Sequence, residues 1–399
     1  VASSYRWVIL ALTVAGFMQT HIHRLAFAGL IPVFVTDLGV NYAAAGTIQT
    51  AYFWTYMLVQ VPIGLAADRW GPRRVMLCCM AVLGAGALAF AASTTYLAAI
   101  AARMLVGLGA AAVWVPGMRL VSEWFPAHER GRAMGVMSAG GGVGGTLGLI
   151  VVPWLAGFWG WRIAYGAMAM PAIVTAVLFA LFLRGSVAGA VTRAEPGAFR
   201  RVLGARELIP FNLNVCFSYG AYFSLITFLP AFLVRSLGFT SAEAGLVTGL
   251  VTAATIVSWP LGGMLSDRLG RRKPVILASQ GASILIPVIF AVGMPRVGLV
   301  GTMGAAILTG FLVGGLILPF VMIVEMFPRE LVATASGVAN SACFVGAMFL
   351  PIVLGRLVDV TGGFGWAFAA AGVTQALAFV FALFLPETGT AVRGTRAIA

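Results

Sequence analysis

The chain has 399 residues, of which 61% are hydrophobic and 9% charged; its net charge is +13 and its mean hydropathy +1.00. A water-facing domain carries about 25% charged residues. This composition therefore excludes a soluble enzyme or binding module and makes the bilayer the solvent.

A spanning helix needs about 20 mostly apolar residues. Twelve stretches qualify in chain order: 6–36, 43–67, 72–92, 96–124, 131–158, 162–184, 207–234, 241–265, 275–294, 297–326, 330–358 and 364–386. The first is too long for a cleavable signal peptide and carries Arg24 at its centre. Opening at Val1 without Met, the chain is expected to be trimmed. Basic residues gather at the N-terminus (Arg6), after the even-numbered spans (Arg69, Arg73, Arg74, Arg130, Arg132, Arg268, Arg271, Arg272, Lys273) and in the tail (Arg393, Arg396). That is the positive-inside pattern, with both termini in the cytoplasm. The charge thus reports topology and attraction to anionic membrane lipid, not nucleic-acid binding. A multi-pass monomer of the cell membrane is expected, in the inner membrane if the source is Gram-negative. Cys78, Cys79, Cys216 and Cys343 lie in apolar stretches with neither disulfide nor metal spacing, and no cofactor is expected.

The chain repeats itself at an offset of about 199 residues. "GLAADRWGPRR" (Gly64 to Arg74) follows the second span and "GGMLSDRLGRR" (Gly262 to Arg272) the eighth. "TDLGVNYAAAG" (from Thr36) answers "RSLGFTSAEAG" (from Arg235), Pro32 answers Pro230, and "EWFP" answers "EMFP". The predicted organisation is an all-α membrane protein of two parallel six-helix halves, 1–184 and 207–386. A cytoplasmic linker (185–206) joins them and a tail (387–399) follows. Parallel repeats of this kind put a substrate site near the midplane, between the halves.

The loop "GLAADRWGPRR" resembles the signature loop of the major facilitator superfamily, and "RMLVGLGAA" (Arg103 to Ala111) its fourth-helix motif. The resemblance covers the whole chain and implies a twelve-helix transporter that works by alternating access. Gating roles then fall on Asp68, Arg69, Arg74, Asp267, Arg268 and Arg272, with Arg103 and Arg119 of the fourth span as further candidates. The glycine-rich run "SAGGGVGGTLG" (from Ser138) allows close helix approach. The Gly-Pro, Gly-Gly signature of drug/proton antiporters is incomplete in "VVPWLAG" (from Val151), which weighs against drug efflux.

A charge at the bilayer centre is costly enough to be a functional suspect by default. Arg24 lies 13 residues before Asp37, about 20 Å along a helix, and so near the midplane. The sequence places no Asp or Glu at that depth in any span. A guanidinium stays charged and its planar fork suits a carboxylate or phosphate. "HRLAFAGLIPVFVTDLGV" (from His23) with the second span is similar to the anion:cation symporters and their organophosphate-transporter relatives. That resemblance makes Arg24 the ligand of an anionic substrate. The relatives' acidic neighbour falls on His23, so proton coupling would pass to a histidine, His23 or His21. His21 shares a helix face with Arg24, whereas His21 and His23 do not share one; a metal site is not expected.

Tyr52, Tyr56, Gln60, Trp114, Tyr219, Tyr222 and Asn340 are the further candidates for lining the site. Gln60 and Tyr222–Phe223 stand where organophosphate carriers have basic residues, which favours a small organic monocarboxylate over a phosphate ester. The expected function is secondary transport of such an anion, with protons as the coupled ion. The alternatives are an organic-anion exchanger, a drug or metabolite exporter, and a sensor that binds without moving its ligand. No nucleophile–base pair or phosphate loop supports an enzyme.

Overall fold

The computed structural model describes residues 4–184, 198–290 and 297–389. Most of the expected linker and tail lies outside them. Among the described residues the chain is helical throughout, with no strand.

The first part comprises α1 (Tyr5–Leu38), α2 (Tyr42–Leu58), α3 (Gln60–Trp70), α4 (Pro72–Ala91), α5 (Tyr96–Ala110), α6 (Trp114–Trp124) and α7 (Ala127–Phe182). The remainder comprises α8 (Ala198–Leu203), α9 (Leu208–Leu237), α10 (Ser241–Leu269), α11 (Lys273–Ser283), α12 (Ile286–Val288), α13 (Gly298–Leu312), α14 (Leu318–Met326), α15 (Arg329–Thr361) and α16 (Gly365–Leu383). Local chemistry sets many ends. Asn41 caps α2 by accepting from the Ala44 amide at 2.8 Å. Thr240 and Glu243 form a reciprocal capping box at the start of α10.

Eight helical stretches among the described residues are long and apolar enough to cross a bilayer. Several expected spans are divided or fused. The second breaks at Val59, between α2 and α3, while two others run together in α7 across Gly160, whose φ of 78° interrupts the helix. α1 is not among the eight; Gln19, His21, His23 and Arg24 lower the hydropathy of its middle.

The chain divides into two compact units, Val1–Val191 with Thr227–Gly249, and Thr192–Ile226 with Leu250–Ala399. In the first, α1 lies against the glycine-rich part of α7. A Cβ on Gly144 would collide with the Met18 carbonyl, and one on Gly148 would meet the Ile22 carbonyl at 2.5 Å. In the second unit, one apolar core includes Phe211, Ile276, Leu318, Met322 and Ala339. Asn214 also donates to Gln280 at 2.9 Å and to the Ala378 carbonyl at 2.7 Å, tying α9 to α11 and α16.

Candidate functional site

Helical spacing puts Phe17, His21 and Arg24 on one face of α1, and Gln49, Tyr52 and Tyr56 on one face of α2. The two faces meet. Arg24 is only 7% exposed, and its Nε donates to the Tyr52 hydroxyl at 3.4 Å. The guanidinium lies over the rings of Tyr56 and Tyr52, at 5.0 and 5.5 Å from their centroids, and 6.0 Å from that of Phe53. Such faces attract a cation through the ring quadrupole. The Tyr52 hydroxyl donates onward to the Thr20 carbonyl at 3.2 Å.

His21 meets Arg24 directly, Nε2 to Nη1 at 3.2 Å. Arginine can only donate, so Nε2 is the acceptor and the ring proton sits on Nδ1. Nδ1 in turn lies 3.1 Å from the Phe17 carbonyl, an acceptor only, which agrees with this tautomer. Phe17 packs edge-on against His21 and also contacts Trp114, so an aromatic chain runs from α6 to Arg24.

His23 is placed elsewhere. It is fully buried and directed at α7, its Nε2 3.1 Å from the Met168 carbonyl and its ring against Tyr165. Behind it lies Arg103, also fully buried. Arg103 donates to the His23 carbonyl at 2.7 Å, to the Tyr165 hydroxyl at 2.9 Å and to Gln49 Oε1 at 3.2 Å. The structure thus brings Arg24, His21, Tyr52, Tyr56 and Trp114 together, and sets His23 with Arg103. Gln60 lies half-buried at the break between α2 and α3. Tyr219 and Tyr222 belong to an aromatic cluster of the second unit with Phe223 and Phe320, and Asn340 is half-buried on α15. Gln49 and Tyr165 are absent from the sequence-derived set. A lone amide or hydroxyl in an apolar span is their only signal.

Among the described residues, the two signature loops place their basic residues differently. In the second, Arg272 bonds Asp267 and reaches Glu325 of α14 at 2.8 Å. Glu325 first, then Asp267, holds its guanidinium still further in the charged form. In the first copy, Arg69 and Arg74 are exposed, and the side chain of Asp68 lies outside the described residues. There Glu123 pairs with Arg119 at 3.0 Å within α6. Arg268 is exposed.

The Major Facilitator Superfamily is matched twice, over residues 8–210 and 211–398. The chain belongs to this superfamily. It is a multi-pass membrane transporter, not an enzyme. It is 23% identical to a probable sulfoacetate transporter, SauU, of Cupriavidus necator, over 95% of this chain and 94% of the relative. It is 24% identical to a probable galactarate/D-glucarate transporter, GudP, of Escherichia coli, over 95% and 92%. A hexuronate transporter of Bacillus subtilis is 26% identical over 92% and 90%. Among solved structures, the fold resembles the nucleoside transporter NupG, with TM-score 0.79, 18% identity and coverage of 95% and 100%. It also resembles an inward-facing bacterial homolog of the lysosomal transporter Spinster, with TM-score 0.77, 17% identity and coverage of 96% and 95%.

Proposed function

We propose that the protein carries a small organic anion, a monocarboxylate by preference, across the cell membrane by alternating access. It does so with twelve crossings in two six-helix halves (1–184 and 207–386) and with both termini in the cytoplasm. The observation that carries this reading is the Arg24 guanidinium, buried among aromatic faces with a histidine at hydrogen-bond distance. Relatives whose names specify sulfoacetate, glucarate and hexuronate carriage support an acid as cargo. The aromatic surroundings favour a ligand with little hydroxylation over a sugar acid. Gating falls to the two signature loops.

Proton coupling is assigned to His21, since His23 faces the Met168 carbonyl and His21 faces Arg24. Neutral His21 accepts from Arg24 and so occupies one of its donors. Protonated His21 has no lone pair to offer and confronts a second cation. An anion between the two relieves both effects. Proton and anion binding then favour each other, and the coupling is reciprocal.

Thermal unfolding of the purified protein with monocarboxylates, dicarboxylates, phosphate esters and apolar cations, at pH 5.5 and 7.5, tests the reading. A ligand of the native state alone raises apparent stability. A carboxylate should stabilise, more strongly at pH 5.5, and Arg24→Ala should abolish the effect while still unfolding cooperatively. Stabilisation by cations or apolar compounds, with silence from every anion, replaces this reading with an exporter.

A further inference from the structure

Two consecutive carbonyls of α1 are gripped from outside the helix. Arg103 donates to that of His23 at 2.7 Å, and Gln49 Nε2 donates to that of Arg24 at 3.1 Å. The two gripping side chains are themselves joined, Arg103 Nη2 donating to Gln49 Oε1 at 3.2 Å. This contact fixes the orientation of the amide. Arg103 offers only donors, so the oxygen must face it, and the NH2 is turned towards Arg24.

In a regular helix both carbonyls already serve the i+4 amide. The added bonds are therefore not needed to keep α1 helical. What they fix is the rotation and depth of α1 at the residue that carries the guanidinium. Gln49 is almost fully buried, so water does not compete for these bonds. One turn further along α2, Tyr52 accepts from Arg24 Nε. α2 thus holds Arg24 by its backbone through one side chain and by its head group through another.

We propose that Gln49 is the positioning residue of the anion site, transmitting the fixed place of Arg103 to the backbone of Arg24. The proposal rests on the reading of Arg24 as the substrate's ligand. Gln49→Glu and Gln49→Leu test it. The glutamate keeps an acceptor for Arg103 but cannot donate to the Arg24 carbonyl when ionised. The leucine keeps the volume and loses both bonds.

Each variant would be reconstituted beside wild type and assayed for uptake of benzoate, sulfoacetate and D-glucuronate. The rate at which phenylglyoxal modifies Arg24 would be read by peptide mass spectrometry. The expected result is a half-saturation concentration raised about tenfold, with maximal rate within about twofold, as a small misplacement of a binding group produces. Arg24 should also be modified at a rate that differs at least about threefold from wild type, since a guanidinium released from its rotamer and neighbours changes its access. Lowered unfolding temperature with unchanged half-saturation and unchanged Arg24 modification would make Gln49 a packing residue and overturn the proposal. If wild type transports none of the three anions while Arg24 modification still responds to Gln49, the positioning role stands and the anion reading fails.

Discussion

Arg24 and His21 form a pair in which only one partner can change its proton count. The guanidinium remains a donor at any working pH, so any change of protonation across the 3.2 Å contact must come from the imidazole. His21→Gln preserves an acceptor for Arg24 but cannot titrate. Uptake by this variant should lose its pH dependence, the ratio of rates at pH 5.5 and 7.5 falling towards one; a wild-type profile would remove His21 from coupling. Much of this was legible in the sequence. Arg24 announces itself as a charge at mid-span, and the three-residue spacing places His21 beside it. The direction of His23 was not legible, because one residue's step turns a side chain about 100° around the helix. Which neighbour it then meets depends on α7, and Met168 lies 145 residues away.

Among elements, the seating of α1 on α7 decides most. Gly144 lies so close to the Met18 carbonyl that any side chain forces the helices apart. Gly144→Ala should destabilise by about 1–3 kcal/mol, the usual cost of overpacking, read as a lower unfolding temperature and yield. The run "SAGGGVGGTLG" signals close approach in the sequence, but its partner is settled only by the tertiary fold. At the other end of α1, Asp37, one residue beyond the apolar span, pairs with Arg162 at 2.6 Å and accepts from Trp161 at 3.1 Å. Arg162 first, then Trp161, holds its carboxyl below the ordinary carboxylate range. A depressed folded value contributes stability that is present above the unfolded pKa of about 3.9 and lost as pH falls through the folded one. Asp37→Asn should therefore lower the unfolding temperature at pH 7 and reduce its decline below about pH 4. An unchanged acid limb would show that other carboxylates set it.

The superfamily's model matches the chain twice, and among the described residues the two copies agree more closely in backbone than in ion pairs. Gly39 and Gly238, with φ of 62° and 72°, and Gly71 and Gly270, with 84° and 63°, correspond at one offset of about 199 residues. Only glycine adopts these angles without strain, so the repeat could be read from sequence at such positions. The electrostatics could not. Glu325 serves Arg272 across two helices, whereas Glu123, its counterpart, is taken by Arg119 one turn away. Glu325→Gln should cost about 1.5–3 kcal/mol, as for hydrogen bonds to a charged group. Glu123→Gln should cost less, because Arg119 one turn away in the same helix is its partner and no second helix is tied by the pair. Equal shifts in unfolding temperature would deny the asymmetry.

The environment of Arg24 also imposes an order on biogenesis. α1 is made before the elements that receive its arginine, a residue that costs about 2.5–3.5 kcal/mol wherever a bilayer centre must take it unaided. The groups that receive it and hold its helix come later: Gln49 and Tyr52 on α2, Arg103 on α5, and the glycine seat on α7. Until α7 has been made, α1 is a span without its socket. Its place in the membrane then rests on those later elements rather than on its own hydrophobicity, which falls short of that of the eight apolar helices.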